Sequence, residues 1–293
     1  MKPFLSLVAW PFLLASCCFI LSLGFRHEGD MQILGLAIKP ELVFFNLSYL
    51  WIIGWLLVLE RMLPYRQDWQ RNDGQIPADL GHTLLNKGLV QFTIVQLMGL
   101  PFFAEREATW LAGQPLLWQA AAGLLAAEFG LYWAHRFSHE WPVLWRFHAV
   151  HHSVRRLWLV NTGRFHFVDS NLSVLASVPF LLVTGISMDA IILVSAITAY
   201  IGILTHCNVD TRCGVLSYFF NTPNLHRWHH STRLEEGNTN YGQNLVLWDQ
   251  LFGTFFIKPV ALLGEIGIRE KMPSRWLRQL WVPFVWKRYQ QEG

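Results

Sequence analysis

The chain is predicted to be an all-α, polytopic integral membrane protein with a helical, histidine-rich cap on its cytoplasmic side. Three observations predict this. Hydrophobic residues make up 53% of the 293 positions and charged residues only 15%, against roughly 25% charged in soluble domains. Apolar runs long enough to cross a bilayer recur from the N-terminus onward. The chain also holds 15 tryptophans, a residue that concentrates at membrane–water interfaces. A soluble two-domain protein is excluded, and with a net charge of only +3 no nucleic-acid partner is expected.

The elements follow in order. Phe4 to Phe25 is uncharged and lies between Lys2 and Arg26. It is longer than the apolar region of a signal peptide, and no small-residue cleavage site follows, so it reads as a retained transmembrane helix. A second span runs from Leu42 to Leu59 and ends at Glu60. A weaker third runs from Gly88 to Phe103. A fourth, Leu111 to Trp133, carries Glu128 in its last third and leads straight into His135. The apolar stretch Leu172 to Thr205 has one charge, Asp189, which with Gly185 and Ser187 reads as the turn of a helical hairpin. Each arm is about 16 residues, short for a full crossing, so the arms tilt or dip.

Leu245 to Val260 is apolar but interrupted by Asp249 and Lys258, which suits an interfacial or packed segment. From Arg269 to Arg288, Lys and Arg alternate with Trp276, Trp281 and Trp286, as on a membrane surface. The organisation is therefore residues 1–110 as N-terminal membrane helices, 111–260 as a catalytic domain with the hairpin at about 172–205, and 261–293 as a basic, aromatic cytoplasmic tail. The cysteines do not form a disulfide framework. Cys17 and Cys18 are adjacent in an apolar run, Cys207 and Cys213 make no metal knuckle, and all four read as small apolar side chains.

Charge orients the layout. If the end of the fourth span faces the cytoplasm, so do the N-terminus, the loop 60–87 and everything after His135 except the hairpin turn. That side carries Lys2, Arg61, Arg66, Arg71, Lys87 and fifteen Lys or Arg from Arg136 onward, whereas the other holds only Arg26, Lys39 and Arg106. This agrees with the positive-inside tendency.

Eight of the 12 histidines fall into three clusters on that side. His135 and His139 are spaced HxxxH; His148, His151 and His152 are spaced HxxHH; so are His226, His229 and His230. Steps of three and four share a helix face, so each cluster reads as imidazoles pointing one way. Neutral imidazole is the commonest metal ligand. Eight nitrogens exceed the needs of one ion and suit two. Zinc sites want three or four ligands, and no thiolate lies nearby, so two iron ions with a position open for O2 explain the count better. Such a site yields an oxidant able to break an unactivated C–H bond, a task that fits a membrane enzyme acting on a lipid.

The ordered set HxxxH, HxxHH, HxxHH, with a hydrophobic hairpin before the last, resembles the fatty acid hydroxylase/sterol desaturase superfamily. The likeness covers roughly Leu131 to Phe255. It includes His135-Arg136, His148-Ala-Val-His151-His152-Ser153, Asn221-Thr-Pro-Asn224-Leu-His226, Asn240-Tyr241-Gly242 and the run from Leu247 to Thr254. The resemblance implies a non-haem di-iron enzyme that uses O2 and external electrons to hydroxylate, or alternatively desaturate, a lipid. It also brings in two further ligands. His206, in His206-Cys-Asn208, resembles the family's His-x-Asn element. His166, in Arg164-Phe-His166, stands where family members often carry a His-Pro pair, here with Phe167 in place of Pro.

His82, in Asp79-Leu-Gly-His82, reads as a polar residue near the third span, and His27 lies on the opposite face. Glu128, Glu140, Asp169, Asp249, Asn208 and Asn224 are candidates to orient the imidazoles through their second nitrogen. No nucleotide- or haem-binding motif occurs, so electrons are expected from a separate ferredoxin, rubredoxin or cytochrome b5-like donor. The basic face of Arg136, Arg146, Arg155, Arg156, Arg212 and Arg233 would meet that carrier or anionic head groups. A zinc hydrolase would require a general-base carboxylate such as HExxH, which is absent. A metal transporter would place its ligands mid-membrane, not at one end.

Overall fold

A computed structural model describes residues 2–98, 100, 109–258 and 264–290. The chain runs through helices α1 (Lys2–Phe25), α2 (Pro40–Met62), α3 (Ile76–Met98), α4 (Leu116–Glu140), α5 (Pro142–His152), α6 (Phe167–Val183), α7 (Met188–Thr205) and α8 (Pro223–His229). It ends in two short helices, α9 (Trp276–Trp281) and α10 (Trp286–Gln290). A small hairpin, β1 (Met31–Ile33) and β2 (Leu36–Ile38), joins α1 to α2.

Among the described residues, α1, α2 and α7 are long and apolar enough to cross a membrane. Only 22% of the apolar window of α2 is buried. Its outward face, with Leu47, Leu50 and Leu57, therefore requires an apolar solvent. The protein is a membrane protein on this ground. α1 and α2 pack along Trp10, Leu13, Cys17 and Leu21 on one side and Ile52 and Leu56 on the other. The cysteines are free, as expected, and Cys17 donates to the Ser48 carbonyl at 3.5 Å.

The hairpin forms where Asp189 and Gly185 indicated it, with arms of 17 and 18 residues. Gly185 takes a left-handed φ of +63° at the turn, and Ser187 caps α7 by accepting from Ala190 N. α4 lies so close to α6 that a Cβ on Gly130 would overlap the Ala176 carbonyl.

Two expectations are revised. The weak third span reads as Gly88 to Phe103, yet α3 begins at Ile76 and carries Asp79, His82 and Asn86 buried in the protein. Internal partners, not lipid, satisfy its polar face; residues 99 and 101–103 lie outside the described residues. The fourth span starts later than Leu111, at Leu116, and runs unbroken through His135 and His139 to Glu140.

The ends of the helices sort into two levels. At one level Arg212 N donates to Ser6 O of α1 at 2.8 Å, and Asp210 N donates to Leu63 O beyond α2 at 2.9 Å. The histidines lie at this level, after α7 and at the end of α4. At the other, Ser187 N of the hairpin turn donates to Gln119 of α4 at 2.8 Å. The N-terminus, the end of α2 and the histidines thus share one end of the bundle.

Candidate metal centre

α4 presents His135 and His139 one turn apart, α5 presents His148, His151 and His152, and α8 presents His226 and His229 with His230 just beyond it. Pro142 and Pro223 start α5 and α8, where a missing N–H costs nothing. His206 ends α7. These nine imidazoles form two groups, each able to hold a metal ion: His135, His139, His148, His152 and His229; and His151, His206, His226 and His230.

The grouping corrects the expectation that each cluster points one way. In both HxxHH clusters the pair four residues apart enters one group and the middle histidine enters the other. Successive positions on a helix turn by about 100°. His148 and His152 therefore face the first group while His151 faces the second; His226 and His230 face the second while His229 faces the first.

The nitrogen spacing suits metal. In the first group His148 Nε2 lies 3.1 Å from His135 Nε2 and 3.0 Å from His152 Nε2. In the second, Nε2 distances are 3.3 Å for His206–His151, 2.9 Å for His226–His206, 3.1 Å for His230–His151 and 3.0 Å for His230–His226. Two imidazoles bound at right angles to one ion at about 2.1 Å would place their nitrogens about 3.0 Å apart. His139 Nε2 and His229 Nε2 are buried with no hydrogen-bond partner, as donors awaiting an ion would be.

The other ring nitrogens face the protein. His135 Nδ1 donates to Tyr241 O at 2.6 Å, His229 Nδ1 to Thr239 O at 2.7 Å, His151 Nδ1 to Arg164 O at 3.1 Å and His206 Nδ1 to Gly202 O at 2.9 Å. His148 Nδ1 meets Asp169 at 2.9 Å and His139 Nδ1 meets Asn238 at 3.2 Å. A donated Nδ1–H leaves the Nε2 lone pair directed inward. Burial first, and neighbouring imidazoles second, hold His151, His152, His226, His229 and His230 well below the usual histidine range. Burial pushes His206 down to about 4. All stay neutral at pH 7, the form that binds metal.

Of the six predicted orienting residues, Asp169 alone touches an imidazole. Glu128, fully buried, accepts from Asn244 N at 3.0 Å and Asn244 Nδ2 at 2.7 Å, and also from Gln243 N. Asp249 accepts from Tyr241 N at 2.7 Å and Gly242 N at 2.8 Å. Both fix the loop 238–244, and that loop carries the acceptors for His135, His139 and His229. Glu140 pairs with Arg136, Asn208 binds Arg66 and Asn224 binds Arg227. Asn238, Thr239 and Tyr241 were missed because two of the three act through backbone carbonyls, which every residue type carries.

His166 stands outside both groups. Its Nδ1 accepts from Val168 N at 3.2 Å, capping α6, and its Nε2 donates to Leu280 O at 3.2 Å. His82 is likewise remote, bonded to Gln279 at 3.0 Å, and keeps the role of a buried polar residue.

A cavity of about 490 Å3 opens beside the histidines. His135, His148, His151, His206 and His226 line it. Apolar side chains also line it, among them Ile53 and Leu57 of α2, Leu80 of α3 and Ile203 of α7. Members of both histidine groups therefore line one largely apolar cavity.

The fatty acid hydroxylase family profile matches residues 120–254, the stretch that holds all nine histidines. Ornithine lipid hydroxylase OlsE of Rhizobium tropici is 44% identical over 289 residues, which cover 95% of this chain and 84% of that protein. This chain belongs to the fatty acid hydroxylase/sterol desaturase superfamily. It is accordingly an oxidoreductase, and its relatives include a lipid hydroxylase and monooxygenases. Human alkylglycerol monooxygenase is 33% identical over 141 residues, 48% of this chain but 31% of that protein. A fatty acid hydroxylase from a Lecanicillium species is 27% identical over 145 residues, 43% of this chain and 39% of that protein. No solved structure matches the chain significantly.

Proposed function

We propose that the protein is an O2-dependent di-iron hydroxylase that oxidises an unactivated C–H bond of an aminolipid of the ornithine-lipid class. The observation that carries this is the opening of both imidazole groups onto one apolar cavity walled by lipid-facing helices. His135, His139, His148, His152 and His229 would hold one iron, and His151, His206, His226 and His230 the other. Two irons so held supply the oxidising power that breaking such a bond with O2 requires. The residues of the chain do the rest. Ile53, Leu57 and Ile203 exclude water and guide an acyl chain, while Asp169 and the carbonyls of Arg164, Thr239 and Tyr241 keep the imidazoles aimed. Identity with OlsE over nearly the whole chain favours an aminolipid over a sterol.

The excess of Lys and Arg at the histidine end supports a cytoplasmic placement of that end and of the N-terminus. Electrons would come from an external carrier.

The test is lipid mass spectrometry of cells with and without the gene. Gain of one oxygen on an ornithine lipid is expected. Loss of two hydrogens would replace hydroxylation by desaturation, and no change would remove this substrate class. Purified protein should carry about two irons per chain and lose metal on His151→Ala or His229→Ala. Unchanged metal content in both variants would overturn the ligand assignment.

A further inference from the structure

The histidines of the first group do not all face the lipid cavity. His135 and His148 line it; His139 and His152 do not. Those two rings turn toward Trp145 of α5 instead. The Trp145 ring centroid lies 5.2 Å from that of His139 and 5.5 Å from that of His152, both tilted, against 6.4 Å from that of His148. Trp145 is also part of a second concavity, of about 420 Å3, formed where α5 meets α10 and the turn before it.

That groove has a defined chemistry. Among the described residues, Arg146 and Lys287 are its charged residues and no acidic residue lines it. Neither cation forms an ion pair among the described residues, and Arg146 Nε donates to Val143 O at 3.0 Å. The exposed apolar side chains of Val143 and Phe284 share the groove with them. Two cations beside exposed apolar side chains match a partner with acidic groups next to a small apolar contact spot.

We infer that this groove docks a small acidic one-electron carrier protein, and that Trp145 conducts its electron to the group formed by His139 and His152. The inference rests on the di-iron reading above. Substrate and reductant would then reach the first group from different sides, the lipid past His135 and His148 and the electron past His139 and His152. The lipid C–H, O2, two protons and two electrons give the lipid C–OH and water. Each docking oxidises one carrier by one electron, so two dockings complete a turnover. Trp145 lies between carrier and metal group and is unchanged overall.

The test uses the full-length protein in lipid nanodiscs with three acidic carriers as probes: a plant-type ferredoxin, a rubredoxin and a soluble cytochrome b5. Binding is measured first. At least one carrier should bind at low salt, and Arg146→Glu with Lys287→Glu should weaken it by roughly tenfold, an effect that vanishes at high salt. Reduction is measured next, by stopped-flow absorbance, with carrier or with dithionite as the reductant. Trp145→Leu should slow reduction by carrier several-fold, leave reduction by dithionite and iron content unchanged, and be partly rescued by Trp145→Phe.

Binding of no carrier, or binding that ignores the charge reversal, would overturn the docking site. So would a charge reversal that weakens binding only to phosphatidylglycerol vesicles, which would make the groove a lipid surface. Equal slowing with carrier and dithionite would make Trp145 a packing residue and overturn its role as a conductor. Absence of iron would sink the di-iron reading itself, while the binding arm would still report on the groove.

Discussion

The two imidazole groups share α5 and α8, the first adding α4 and the second the end of α7, and they differ in how firmly they are held. In the first, four of the five histidines have Nδ1 tied to a protein acceptor: Tyr241 O, Asn238, Asp169 and Thr239 O. In the second, His151 and His206 are tied to carbonyls, while the buried Nδ1 atoms of His226 and His230 have no partner. The second group also gives three of its four members to the cavity wall, the first only two of its five. More donors and firmer anchoring make a closed site; fewer donors beside a cavity leave a position for another molecule. Number and anchoring of imidazoles, rather than their identity, thus distinguish the two groups.

This contrast can be broken at several points. The largest effect is expected from ligand removal. His151→Ala should empty the four-histidine group and abolish product, whereas His139→Ala should leave part of the metal in the five-histidine group. Elemental analysis of the two variants decides it, and equal losses would erase the distinction. Chelation should come next. Dialysis against EDTA should release metal in two phases, the fast one sensitive to Ala substitution in the second group only. A single phase would mean that the groups exchange as one.

Asp169→Asn should act on the first group alone. Loss of the carboxylate behind a metal-bound imidazole typically weakens metal affinity by about 10- to 100-fold. Competition with a chromogenic chelator should register that loss while the His151 group stays filled. The smallest effect belongs to the cavity. Ala199→Phe narrows it beside the second group and should lower kcat/KM by roughly tenfold with iron content intact. A variant that loses iron instead would show that the wall supports the site and does not shape the substrate path.

Much of this arrangement was legible in the residues. Uncharged runs of lipid-crossing length fixed α1 and α2, because nothing but a bilayer tolerates them. Asp189, Gly185 and Ser187 marked the hairpin turn, since a charge and a left-handed glycine interrupt an apolar run only where the chain reverses. His206 was recognised by its likeness to a family element, and it joins the second group. Three things were hidden. The crosswise division of each HxxHH depends on how α4, α5 and α8 are rotated against one another, which spacing along one helix does not encode. The loop 238–244 supports the imidazoles mostly through carbonyls and so has no side-chain signature. α3 is amphipathic in a different sense from its apolar end. Its buried Asp79 pairs with Arg164 at 2.9 Å, and no local pattern announces a partner so far along the chain. His166 failed for a related reason, because a histidine just before a helix can cap it as well as bind metal.

The crosswise sharing of histidines bears on the order in which the protein can be made. A growing chain that has completed α5 owns His135, His139, His148 and His152 of the first group but only His151 of the second. It must thread the hairpin and extend to α8 before His229 closes one group and His230 the other, on adjacent residues. No stretch of chain short of that point contains all members of either group, so neither group is complete during early synthesis. Both sites reach completion within one residue of each other, and a chain truncated anywhere in the hairpin leaves both of them open.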